Sequence, residues 1–130
     1  MTTVLERVLP FVVALSMVLA ALGKLFSPTF RATLSESLGV PTVLLIAVGL
    51  AEIGFAWLIL RQQPRLRVIG AGGIAVIMMG AVVFNATGQT IDGDNPAAAI
   101  PANVFLASSA AFVAWSALGR PGRSAAPDRP

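Results

Sequence analysis

Two ionisable side chains stand inside long apolar runs. Lys24 lies in "ALGKLFSPTF" (21–30) and Glu52 in "PTVLLIAVGLAEIGFAWLIL" (41–60). An ammonium and a carboxylate can serve acid–base chemistry, a proton relay, or the grip on a polar headgroup. A charge at the centre of a membrane helix costs roughly 3 kcal/mol or more, so such residues face a bundle interior or a polar cavity. Other polar groups gather nearby in the sequence. Asn85 and Thr87 close the third apolar run, Gln89 follows it, and Asn103 opens the fourth after Pro101. They either line a polar cup above Glu52 or are polar because span ends meet lipid headgroups. Trp57, one turn and a half after Glu52, is a further candidate for ligand contact as well as for an interfacial belt.

The depths of the two charges differ. Lys24 is a few residues from the outer end of its run, where its stem can snorkel to water. Glu52 lies about 16 Å below the start of its own run at ~1.5 Å per residue, too deep to snorkel. With level span ends the two are about three turns apart, which favours a water or polar ligand between them over a direct bond. The ammonium favours an ionised carboxylate and desolvation favours a neutral acid, and both pulls stay open at this level.

Other chemistry is excluded by composition. The chain has no cysteine and no histidine. Thiol nucleophiles, disulfide exchange, cysteine-ligated clusters and histidine-ligated haem or zinc are therefore absent, and no serine has a histidine partner. No cofactor is expected. "GAGG" (70–73) begins an apolar span with no preceding strand, so it reads as helix packing rather than a phosphate loop. "DGDN" (92–95) lacks the spacing and distal glutamate of a calcium loop and reads as a turn.

The elements that must hold these residues follow from hydropathy. Of 130 residues, 56% are hydrophobic and 12% charged, against about 25% charged in soluble domains. So few charges cannot cover a water-facing surface, and the chain reads as an all-α polytopic membrane protein. Four runs, about 8–26, 41–60, 68–88 and 100–118, each approach the ~20 residues that cross a bilayer. The first lacks a basic leader and a small-x-small cleavage site, and is expected to be a retained span. Residues 1–119 form one membrane domain, and the Pro-, Arg- and Ser-rich segment 120–130 is expected to be a disordered cytoplasmic tail.

Seven of nine basic residues (Arg7, Arg61, Arg65, Arg67, Arg120, Arg123 and Arg129) fall on one side of a four-span chain. That explains the net charge of +3 by topology, and nucleic acid is not an expected partner. The positive-inside rule places both termini in the cytoplasm, and the expected location is the cytoplasmic (inner) membrane. Arg31, Glu36, Asp92 and Asp94 fall on the other side. Trp57 and Trp115 stand near cytoplasmic span ends.

The first outer loop carries helix signals: Ser27 as N-cap, Pro28 at the first helical position and Gly39 as stop. Phe30, Leu34 and Leu38 recur every four residues, which predicts a short amphipathic helix lying along the outer interface. Small residues crowd the third span (Gly70, Ala71, Gly72, Gly73) and the fourth (Ala107, Ser108, Ala110, Ala111). They predict close helix packing, within one bundle or between copies in a homo-oligomer.

The residues "LGKLFSP", "LGVP" and "GLAEIGFAWLIL", within a layout of four short spans, resemble the DoxX-like membrane proteins. The matching positions are Gly23 and Lys24 before a Pro-containing loop, then Gly49 and Glu52 as a Gly-x-x-Glu pattern. The resemblance implies a four-helix membrane fold. It further implies an accessory subunit of membrane oxidoreductases, such as thiosulfate:quinone systems. Many members carry a histidine late in the third span, where this chain has Asn85, so a histidine-dependent role does not carry over.

Three functions are expected from these residues. The first is an intrabundle site for a small lipid-soluble molecule, quinone- or isoprenoid-like, held by Lys24, Glu52, Asn85, Gln89, Asn103 and Trp57, with a membrane oxidoreductase as partner. The second is a membrane enzyme with Glu52 as general acid or base and Lys24 polarising an oxygen, opening an epoxide, isomerising or cyclising an apolar substrate. The third is a small proton-coupled transporter. In the small multidrug exporters, however, the glutamate stands on the first span, and here it stands on the second.

Overall fold

The computed structural model describes residues 2–90, 93 and 95–119. Among them the chain is helical throughout: α1 (Thr2–Phe26), α2 (Pro28–Leu38), α3 (Thr42–Ile59), α4 (Pro64–Thr87), a 3-10 turn (Pro96–Ala99) and α5 (Ile100–Leu118). Four of these stretches, Val4–Phe26, Thr42–Ile59, Pro64–Thr87 and Pro96–Leu118, are long and apolar enough to cross a membrane. The chain is an all-α polytopic membrane bundle. The predicted turn at Asp92 and Asp94 and the tail 120–130 lie outside the described residues.

Each span buries a narrow stripe and exposes an apolar face. In α1 the stripe is Pro10, Val13, Ala14, Met17 and Ala21, spaced three and four apart. In α3 it is Leu45, Gly49, Glu52, Ala56 and Ile59. The opposite faces remain apolar: Phe11 is 65% exposed, Val43 76% and Val76 73%. Water would penalise such a surface, whereas lipid tails do not. Glu52 is thus on the inward stripe of its helix, not among the lipid-facing residues.

Glycines set the closeness of α3 and α4. A Cβ on Gly70 would stand 2.6 Å from the Ile59 amide nitrogen and 2.7 Å from the Phe55 carbonyl oxygen, and one on Gly73 would strike the Phe55 ring at 2.5 Å. The small-residue cluster of the third span is in part a helix-packing seam within one chain. The seam does not run the length of the helix: Gly80, seven residues on from Gly73 and so on nearly the same face, has nothing within 4 Å of an added Cβ, and neither has Gly72.

The helix expected in the first loop is present, with the expected ends. Ser27 accepts from the Phe30 amide, Pro28 opens α2, and Gly39 closes it in the left-handed conformation at φ 68°. That backbone region is open to glycine at no steric cost. Side-chain donors close the other ends. Arg31 donates from one guanidinium nitrogen to the carbonyls of Lys24 (2.9 Å) and Leu25 (2.8 Å), capping α1. Arg67 donates to the carbonyls of Ile59 and Arg61 at 3.2 Å each, bracing the turn after α3.

Candidate ligand site within the bundle

Lys24 and Glu52 meet directly. The Lys24 ammonium lies 2.6 Å from Glu52 Oε1, with the two side chains 13% and 1% exposed. The expectation of a snorkelling lysine and a bridged pair rested on level span ends, and the spans are staggered. The neighbours of Gly49 explain how. A Cβ there would stand 3.2 Å from Leu25 and 3.5 Å from Lys24 Cβ. Gly49 is seven residues into α3, so α3 projects about 10 Å past the level of Lys24 at ~1.5 Å per residue. Lys24 therefore reaches only one turn along α3 to meet Glu52. The Gly-x-x-Glu spacing now has a physical reason: glycine lets α1 close on α3, and the carboxyl one turn on receives the ammonium.

The space above the end of α1 is filled by α2. Phe30, Leu34 and Leu38, the stripe expected to lie along the membrane interface, line a hollow inside the bundle. The hollow has a volume of about 470 Å³. Every helix contributes to it. Met17 and Ala20 come from α1, Leu45 and Val48 from α3, Gly80, Ala81 and Phe84 from α4, and Leu106 from α5. Four polar side chains join this apolar lining: Lys24, Glu52, Asn85 and Asn103.

The polar atoms are unevenly satisfied. Glu52 Oε1 accepts from Lys24, but Oε2 is buried with no hydrogen-bond partner among the described residues. Asn85 donates from Nδ2 to the Ala81 carbonyl at 2.7 Å. That leaves its amide oxygen as an acceptor. An ammonium has three donors, and a single side-chain acceptor, Glu52 Oε1, engages that of Lys24 among the described residues.

Two candidates from the sequence stand elsewhere. Trp57 is 58% exposed on the outer face of α3, with the Arg61 guanidinium 4.5 Å from its ring centroid. It does not line the hollow. Gln89 is exposed, and its backbone rather than its side chain has a structural role. Its amide donates to the Ser37 carbonyl at 2.8 Å, and its carbonyl accepts from Ser37 Oγ at 2.6 Å. This two-bond clasp ties the end of α2 to the segment after α4. Sequence reasoning assigned Ser37 no role. The signal was its place on a helix whose apolar stripe needs a partner. Thr87 donates back to its own helix, to the Val83 carbonyl at 3.1 Å.

A bundle of four apolar helices long enough to cross a membrane, with a buried ion pair beside a mostly apolar hollow, defines a small polytopic membrane protein. The model of the DoxX-like family matches residues 8–112, and the chain belongs to that family. No curated protein and no solved structure matches it.

Proposed function

We propose that the chain binds a small lipid-soluble molecule in the hollow beneath α2, with the Lys24–Glu52 pair at its polar end. The observation that carries this reading is a roughly 470 Å³ space with an apolar lining from every helix and one ion pair in its wall. Ligand sites typically combine about 300–1,000 Å³ of mostly apolar surface with a few placed polar groups. A volume of this size takes a quinone-head or isoprenoid-sized molecule. Lateral supply from the membrane suits an apolar ligand. The absence of cysteine and histidine suits a protein that holds or presents such a molecule to a membrane oxidoreductase partner. The expected setting is the cytoplasmic membrane, with both termini inside, because the Arg61–Arg67 turn and Arg7 share one side.

The test is native mass spectrometry of the purified protein released from detergent, followed by solvent extraction of whatever dissociates. The proposal predicts a bound apolar molecule of defined mass, absent from Gly80→Leu, which fills the hollow. Bound phospholipid alone, equal in both proteins, would contradict it.

A second reading is favoured by the unpartnered Oε2 of Glu52. A carboxylate oxygen free of protein donors can take a proton from a bound substrate, which makes Glu52 a general base in a membrane enzyme. Under this reading Glu52→Gln retains the bound molecule and loses turnover. Under the binding reading there is no turnover to lose.

A further inference from the structure

We propose that the site selects a neutral headgroup that both donates and accepts a hydrogen bond at one oxygen, an alcohol or phenol. It disfavours a carbonyl, a carboxylate or a plain hydrocarbon. The inference rests on the binding reading above and narrows its ligand class. It comes from an inventory of what the pair leaves unused. Lys24 carries three donors, of which Glu52 Oε1 engages one. Glu52 is 0% exposed, and its Oε2 has no partner among the described residues. An ionised carboxylate is acceptor-only. The pair therefore carries a spare donor beside a spare acceptor, on two residues that line a mostly apolar hollow whose other polar side chains are Asn85 and Asn103.

A hydroxyl satisfies both at once. Its oxygen accepts from the Lys24 ammonium while its proton goes to Glu52 Oε2. A carbonyl oxygen accepts from Lys24 and leaves Oε2 bare. A carboxylate headgroup pairs with Lys24 but brings a second negative charge against Oε2, in a setting where charges are weakly screened. A hydrocarbon leaves both groups unmet. Leaving a buried polar group unpaired is more costly than the net worth of the bond it lacks, so discrimination is set by the mismatch. Size gives the tail. The hollow's roughly 470 Å³ lies within the about 300–1,000 Å³ of ordinary small-molecule sites. A three-isoprene chain with one terminal group is of that size.

The experiment uses the full chain in lipid nanodiscs and four probes with one skeleton: farnesol, farnesal, farnesoate and farnesene. Tritiated farnesol is bound to saturation in a scintillation proximity assay, and the others compete. The inference predicts saturable farnesol binding, with farnesal and farnesene weaker by about tenfold or more and farnesoate weaker still. In Glu52→Gln the amide oxygen retains Lys24, so the NH₂ stands where Oε2 stood and the spare acceptor becomes a donor. The farnesol-to-farnesal preference then falls by about tenfold or reverses. Equal competition by all four probes, or farnesal ahead of farnesol in the unaltered protein, overturns the headgroup inference and leaves the binding reading standing. No saturable binding of any of the four overturns both. The ranking in the unaltered protein decides the matter even if the variant fails to fold.

Discussion

Removing Lys24 from beside the buried carboxyl is the perturbation with the clearest expected asymmetry. At 2.6 Å separation and an effective dielectric of about 20, the pair attracts by about 6 kcal/mol. Desolvation of both groups offsets much of that, so the net value of the pair is small, while the cost of breaking it is large. Lys24→Met leaves Glu52, whose side chain is 1% exposed, with no counter-charge and should cost about 3–5 kcal/mol. Glu52→Leu should cost less, on the order of 1–2 kcal/mol. Lys24 is two residues from the end of α1, and its freed stem can swing toward water. The double variant should return to within about 1 kcal/mol of the original, or exceed it, because two apolar side chains replace a desolvated pair. Reversible unfolding in mixed micelles with rising sodium dodecyl sulfate gives all four free energies. Additive single effects, or a Lys24→Met change below about 0.5 kcal/mol, would refute the buried pair.

The glycines of α4 should divide by the space around them. Gly70→Ala, which meets backbone of α3 at 2.6 Å, should destabilise by about 1–3 kcal/mol in the same unfolding assay. Gly72→Ala, with nothing within 4 Å, should be neutral or stabilise by up to about 1 kcal/mol. Gly80→Leu should abolish ligand retention while leaving stability within about 1 kcal/mol, since the added side chain enters open space in the hollow. Gly39→Ala, at φ 68°, should cost about 1–2 kcal/mol in the unfolding assay.

Features that depend on near neighbours in sequence were legible in the sequence. Ser27, Pro28 and Gly39 bound α2 as their local chemistry requires, and Ser16 donates to the Val12 carbonyl at 2.8 Å as a serine in a span does. The four spans follow from length and hydropathy. What depends on how one helix sits against another was not legible. The meeting of Lys24 with Glu52 depends on the stagger of α1 against α3, which Gly49 permits but no periodicity encodes. The stripe on α2 was correctly apolar. Whether it met lipid or the bundle depended on the Ser37–Gln89 clasp, formed between residues far apart in the chain. Trp57 and Glu52 share a helix but not a face, because five residues at 100° each turn the indole away from the carboxyl.

The most direct measurement is photolabelling by a diazirine analogue of farnesol in native membranes, with the modified residues located by peptide mass spectrometry. The account predicts saturable labelling, competed by unlabelled farnesol, on residues that line the hollow such as Met17, Met78, Ala81 and Phe84. Labelling confined to the outer faces, at Leu15, Val76 or Trp57, without competition, would contradict it.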